Sequence, residues 1–189
     1  MLATVKVNSL LQSDFSLSLQ EVLQGNVQLT LDPGVVIIQD EERVVQRLDF
    51  KQVHFSAQLL ADSMQSDLAI VINDSNQLKG QVEVQGLTHP ATAKINGLLK
   101  VQLDKTGFIS AFADSLSHVS GNINGEVYIQ GLMSSPSLNN SWLKLQQANL
   151  TGVDAGLSVR DLNLELTYTE TEQIFVRGNA DIEGQSQCQ

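Results

Sequence analysis

The sequence predicts an all-β fold: a long, curved antiparallel sheet that is open rather than closed around a core. Three observations predict it. Apolar and polar residues alternate with a period of two over most of the chain, turn residues recur at short intervals, and the segment GQVEVQG at residues 80–86 has a near copy, GEVYIQG, at residues 125–131. Internal repeats are typical of architectures in which no single unit buries its own apolar face.

The composition and charge of the chain exclude some classes of function. The chain has 189 residues and a net charge of −10, and its Lys and Arg residues are scattered singly, so a nucleic-acid partner is not expected. No apolar window is long enough for a membrane-spanning helix, and the start does not resemble an export signal. Strand-like alternation runs into both ends, so we expect residues 1–189 to be a single β-groove fragment of a larger repetitive protein. In a fragment, the lack of a membrane-spanning helix and of an export signal does not define the compartment of the parent protein.

The strands follow from the alternation, taken in chain order. Apolar residues occupy every second position at 15–19, 27–31, 82–84, 101–103, 127–129, 143–145 and 162–166. Each of these strands therefore has one apolar and one polar face, and turn chemistry such as Asp-Pro-Gly at 32–34 separates them. The apolar phase changes between Phe50 and Val53, which predicts a turn or bulge near Lys51.

One segment departs from strand periodicity. Phe108, Phe112 and Leu116 are four residues apart, which is the spacing of one helix face, and Gly121 follows. The spacing predicts one short helix near residues 108–117. The alternative is that the segment forms another strand.

The sequence offers no recognisable catalytic or metal site. The acidic segments at 40–42 and 165–172 lie in predicted turns or on polar strand faces, the three histidines are isolated, and Cys188 is close to the terminus. The glycines of the repeat do not open a helix, as phosphate-binding glycines do. We therefore expect no enzyme activity, no cofactor and no metal. Tyr128 and Trp142 could anchor a ligand, although single aromatic residues on strands more often pack against neighbouring strands.

The remaining candidate for function is the apolar face of the sheet, which something must cover. In a closed β-sandwich a second sheet covers it, and composition alone favours that architecture. The internal repeat, the scarcity of aromatic residues (5%) and the strand-like ends favour an open sheet instead. An open apolar trough suits acyl chains, because each methylene group removed from water contributes about 0.8 kcal/mol.

Residues from Ser120 onward resemble the C-terminal conserved region of the TamB family. The resemblance rests on a glycine-bounded strand at 125–131, a proline step at 136–139, strands at 143–145 and 162–164, and a glycine-bounded end at 178–184. Residues 120–184 carry the better match, whereas residues 1–119 match only as degenerate strands. Asn140-Ser141 departs from the family pattern, which usually has glycine after the proline step.

The resemblance implies a large envelope protein of Gram-negative bacteria, anchored in the inner membrane and extending through the periplasm. It implies a long β-sheet folded into an open, taco-like hydrophobic groove, as in bridge-like lipid-transfer proteins. The implied partners are phospholipids, segments of outer-membrane β-proteins and an Omp85-type outer-membrane barrel similar to TamA. The implied roles are phospholipid carriage towards the outer membrane and assistance to the assembly of outer-membrane proteins.

The leading hypothesis is a periplasmic β-groove whose inward-facing aliphatic residues hold acyl chains or outer-membrane-protein segments. The candidate lining residues are Val27, Leu29, Leu31, Val82, Val84, Val101, Val127, Ile129, Leu143, Leu145, Leu162 and Leu164. They act through burial, so no single one of them is expected to be essential. The alternative hypothesis is a structural or adhesive β-sandwich, built from repeats, that binds a protein partner on its outer surface.

Overall fold

The structure is a computed structural model, and it describes residues 4–19, 23–40, 43–104, 106, 116–152, 157–169 and 173–184. Every regular element in these residues is a β-strand, which confirms the predicted all-β class. None of these residues belongs to a helix able to cross a membrane. The strands are β1 (Thr4–Asn8), β2 (Leu11–Leu19), β3 (Leu23–Leu31), β4 (Gly34–Asp40), β5 (Arg43–Phe50), β6 (Gln52–Leu60), β7 (Ser63–Asn73), β8 (Asn76–Gln85), β9 (Lys94–Leu103), β10 (Leu116–Leu132), β11 (Ser135–Ser137), β12 (Trp142–Gly152), β13 (Leu157–Tyr168) and β14 (Ile174–Gly184).

The main sheet is antiparallel and runs across ten strands in the order β14-β13-β12-β10-β9-β8-β7-β6-β3-β2, with β11 paired to β10. Most neighbours in the sheet are also neighbours along the chain, so the sheet grows by successive hairpins. The two end strands, β14 and β2, are not hydrogen-bonded to each other. The sheet is therefore open, as predicted.

A second, three-stranded sheet has the order β1-β4-β5. Its strands continue into the main sheet across short breaks: β1 leads into β2, β3 into β4, and β5 into β6. The last break is at Lys51, which confirms the predicted interruption. The Lys51 N–H donates a hydrogen bond of 2.8 Å to the carbonyl oxygen of Val71, and the Lys51 ammonium pairs with Asp74 at 2.8 Å. These contacts fix the break against the β7–β8 hairpin.

The internal repeat corresponds to two adjacent hairpins. The first copy, apart from Gly86, lies in β8, which pairs with β9, and the second lies in β10, which pairs with β12. The hairpins are adjacent because β9 pairs with β10. Each copy ends at a glycine with a positive φ, +83° at Gly86 and +109° at Gly131. Residues with a Cβ rarely adopt this conformation, so glycine is favoured at the last position of both copies.

The predicted helix near residues 108–117 falls mostly outside the described residues. Its last two positions, Leu116 and Ser117, are described and begin strand β10, where Leu116 pairs with Gly152. The helix prediction is wrong at these two positions. Hydrogen bonding to β12 determines the backbone there, and this long-range pairing overrides the local four-residue spacing.

The chain exposes far more surface than a closed fold does. Its accessible surface is 12823 Å², whereas mass scaling gives about 8,900 Å² for a compact monomer of this size. The buried apolar residues of the described part are Phe50, Val84, Ala93, Val119 and Ala148. This set is too small to form the interior of a closed β-sandwich. The architecture is an open sheet with largely half-buried strands.

Candidate functional site: an uncharged apolar face

Cross-strand pairing arranges the apolar residues of the main sheet in rows. Residues paired across an antiparallel ladder point to the same face, so a chain of such pairs defines a row across the sheet. The longest row crosses all ten strands from β2 to β14, and every residue in it is aliphatic or glycine. Its members are Leu11, Leu31, Val53, Ile70, Leu78, Val101, Gly125, Leu143, Leu166 and Val176.

Four further rows lie on the same face, because side chains two positions apart along a strand point the same way. From β2 to β10, three of them read Ser13, Leu29, Phe55, Leu68, Gly80, Leu99, Val127; Phe15, Val27, Ala57, Ser66, Val82, Gly97, Ile129; and Leu17, Gly25, Leu59, Met64, Val84, Ile95, Gly131. From β8 to β14, the fourth reads Asn76, Leu103, Ile123, Leu145, Leu164, Gly178. We call the surface formed by these five rows the apolar face. None of the residues in the rows is charged.

All the candidate lining residues from the sequence lie on this side of the sheet. All but Leu162 are members of the rows, and Leu162 shares the face of Leu164, two positions away on β13. Their exposure differs widely. Val27 is 38% exposed and Leu29 is 37% exposed, whereas Val84 is only 2% exposed. Val84 therefore packs beneath its neighbours and does not offer surface to a ligand. Binding of cargo by these residues stays a prediction.

Several residues of the apolar face are missing from the predicted lining set. Phe55 on β6, Leu78 on β8 and Leu99 on β9 belong to the rows but not to the predicted set. Leu98 and Leu99 are adjacent apolar residues, so alternation cannot tell which of them faces the apolar side. The pairing of Leu99 with Gly80 decides this. Gly80 and Gly125, the first glycines of the two repeat copies, both lie in rows of this face.

The apolar face becomes more exposed towards both ends of the sheet. On β2, Phe15 is 83% and Leu17 is 73% exposed, and on β14 Val176 is 64% exposed. Each end strand has a hydrogen-bonded neighbour on one side only within the described sheet. Such edge strands present backbone N–H and C=O groups that can pair with another strand. The sheet thus has two kinds of candidate binding surface, the apolar face and the backbone edges.

The opposite face of the sheet is polar, and four of its charged side chains form ion pairs across strands. Lys100 and Glu126 form an ion pair of 2.9 Å, and Lys144 and Glu165 form one of 3.0 Å. The Tyr128 hydroxyl donates a hydrogen bond of 2.8 Å to Glu126. The hydrogen bond from Lys100, followed by that from Tyr128, lowers the pKa of the Glu126 carboxyl, and the hydrogen bond to Glu126 raises the pKa of Lys100. These groups therefore satisfy one another at the surface.

The aromatic residues considered as ligand anchors also lie on the polar face. Tyr128 is hydrogen-bonded to Glu126, which raises the pKa of the Tyr128 phenol. Trp142 pairs with Glu126 across β10 and β12, and the Lys144 ammonium lies 5.7 Å from the centre of its ring. Neither aromatic side chain belongs to the apolar face. Both interact with charged neighbours on their own side of the sheet.

The described residues contain few other features that are typical of a metal site or a ligand pocket. No group of three or more His, Cys, Asp and Glu side chains is arranged there to hold a metal ion. His54 shares a hydrogen bond of 3.1 Å with Thr30 across β3 and β6. A depression of about 430 Å³ lies mainly among polar side chains, including Gln65, Gln81 and Gln130. Most of its lining residues belong to the polar face, and the row members Ser66, Val82 and Gly97 also border it.

One protein-family model matches most of the chain. The model described as the TamB N-terminal domain matches residues 1–140 of the 189. The match includes the degenerate strands before Ser120, and it does not confirm that the residues from Ser120 onward correspond to the C-terminal conserved region. No curated protein and no solved structure matches the chain significantly. The extent of the family match shows that the chain belongs to the TamB family.

Proposed function

We propose that the apolar face carries or shields phospholipid acyl chains between the inner and outer membranes, in a periplasmic segment of a protein anchored in the inner membrane of a Gram-negative cell. The observation that carries the proposal is the set of uncharged rows on a sheet that is not closed. Membership of the TamB family supports a role in the cell envelope. The proposed role is binding and transfer, without a catalytic step.

An acyl chain is chemically matched to this face. It has no hydrogen-bonding groups to lose on leaving water, and each buried methylene contributes about 0.8 kcal/mol. A chain laid across the sheet meets a new strand about every 4.8 Å. The longest row offers only aliphatic side chains and glycine along this whole path. The charged headgroup remains in water beside the sheet, because burying an unpaired ion is costly.

Assistance to outer-membrane protein assembly is a second proposed function, and the exposed strand β2 favours it. All nine residues of β2 are exposed, and its free edge suits pairing with an incoming strand through backbone hydrogen bonds. The proposed partner of the parent protein is an Omp85-type barrel similar to TamA. We also propose that the residues from Ser120 onward belong to the C-terminal conserved region of the family.

Native mass spectrometry tests the main proposal. The chain is produced in a bacterial periplasm, purified without detergent, and measured before and after extraction with organic solvent. We expect co-purified phospholipid, because no second sheet packs over the uncharged face among the described strands. A lipid-free mass for a cooperatively folded protein would contradict this function. Recovery of bound outer-membrane protein in place of lipid would support the second function. A folded chain that binds neither would favour the alternative of a structural or adhesive domain that binds a protein partner.

A further inference from the structure

Four leucine side chains on the apolar face lie across glycines of the neighbouring strand. In each case the leucine and the glycine are direct cross-strand partners. The pairs occur in four different hairpins, β2–β3, β8–β9, β10–β12 and β13–β14. They are Leu17 with Gly25, Leu99 with Gly80, Leu143 with Gly125, and Leu164 with Gly178.

The leucines occupy the space that a side chain at the glycine would need. A Cβ atom added at Gly80 would lie 3.1 Å from Leu99 Cδ1, and one added at Gly25 would lie 3.0 Å from Leu17 Cδ1. The corresponding approach is closer still in the other two pairs. Favourable contacts between carbon atoms are about 3.5–4.0 Å long. Each leucine therefore leans sideways over the adjacent strand, whereas strand side chains usually stand roughly perpendicular to the sheet.

We propose that these leucine–glycine pairs set the depth of the apolar face and thereby select the acyl chains that it holds, an inference that rests on the proposed function. A leucine lying over a glycine adds apolar area to the floor without filling the space above it. An unbranched chain packs against such a floor along its length. A Cβ at the glycine displaces the end of the leucine towards the space that the chain occupies. The pairs are positioning residues that determine specificity.

The occupant of this floor is an acyl chain because the rows offer little to a polypeptide backbone. Two of their polar side chains already bond to the protein backbone. The Ser66 hydroxyl donates to the carbonyl oxygen of Val82 at 3.3 Å, and the Asn76 side-chain oxygen accepts from the Asp104 N–H at 2.6 Å. A peptide laid on this face would lose the hydration of its N–H and C=O groups without gaining partners, which is unfavourable. An acyl chain has no such groups.

A double-mutant cycle at Gly80 and Leu99 tests the inference. Gly80 suits it, because apart from Leu99 Cδ1 the nearest atoms to an added Cβ lie at 3.8 Å. The probe is cis-parinaric acid, a straight-chain fluorescent fatty acid, titrated into the delipidated chain. Gly80→Ala is expected to bind about tenfold more weakly, as if roughly two methylene groups were no longer buried. Gly80→Ala/Leu99→Ala is expected to bind no more weakly than Leu99→Ala alone, because no leucine is left to be lifted.

The thermal midpoint distinguishes this role from a merely structural one. Alanine is more favourable than glycine in a strand, so Gly80→Ala is expected to keep or raise the midpoint while weakening binding. Unchanged binding by Gly80→Ala would overturn the inference, as would additive losses in the double variant. A parallel loss of binding and midpoint would also overturn it, because it would show a structural defect. Failure of the unmodified chain to bind the probe would instead contradict the proposed function itself.

Discussion

Val127→Arg is expected to abolish most phospholipid co-purification while leaving the sheet folded. Val127 pairs with Leu99 on the apolar face, in the middle of the main sheet. The open face leaves the guanidinium in water while it is empty, so folding tolerates the change. A bound acyl chain would force this charge to lose water, and each 1.4 kcal/mol of such a cost lowers affinity about tenfold. Lipid is quantified by mass spectrometry after extraction, and folding by circular dichroism.

The matched control is Gln130→Arg, which adds the same side chain on the opposite face of the same strand. Gln130 is exposed and pairs with Asn96 on β9, so this variant is expected to retain its lipid. Equal lipid content in the two variants would contradict the assignment of the apolar face. Loss of folding in Val127→Arg would show that the face is covered, as in a closed core. Leu164→Arg, on β13, is expected to behave as Val127→Arg does.

Gly121→Ala is expected to lower the free energy of unfolding by about 2–4 kcal/mol, through backbone strain and overlap in a packed site. Gly121 lies at the irregular pairing of β10 with β12 and has a φ of +129°. An added Cβ would lie 2.7 Å from the Cα of Ala148, which is completely buried. The backbones of β10 and β12 cannot move apart here without losing their pairing around the bulge. Urea unfolding followed by circular dichroism measures the loss.

Gly80→Ala provides the comparison, because it makes the same chemical change on the same sheet. Its added Cβ meets the flexible end of a leucine, and no backbone atom lies closer than 3.8 Å. We expect it to change stability by less than about 1 kcal/mol, the usual difference between glycine and alanine in a strand. An equal loss in both variants would show that the position of Gly121 in the bulge has no special backbone requirement.

Local patterns were sufficient to predict seven of the strands and their apolar faces. Alternation at 27–31, 127–129 and 143–145 correctly grouped residues that the pairing places on one face. It could do so because the two-residue period of a strand is independent of the partner strand. The repeat indicated an architecture in which no single unit buries its own apolar face, and the open sheet has this character. The change of phase before Val53 located the break at Lys51.

Features that depend on pairing could not be predicted in this way. The register shifts within β12 and β13 place Gln147 and Asp161 at φ values of +51° and +47°, and neither residue type marks such a conformation unambiguously. The start of β10 at Leu116 depends on the distant Gly152. The lean of Leu99 over Gly80 depends on which residues stand opposite each other. Strand register depends on residues that are far apart in the sequence. The shape of the apolar face can therefore be described only from the folded sheet.

Site-specific photocrosslinking in living cells tests the central claim most directly. A benzophenone side chain is placed at Val101 or at Gln102 in the parent protein. These neighbours on β9 point to opposite faces, with Val101 in the longest apolar row and Gln102 hydrogen-bonded to Gln77 at 3.2 Å. After irradiation, phospholipid adducts are expected at position 101 and not at position 102. Equal lipid labelling at both positions, or protein adducts alone at position 101, would contradict the claim that the apolar face holds acyl chains.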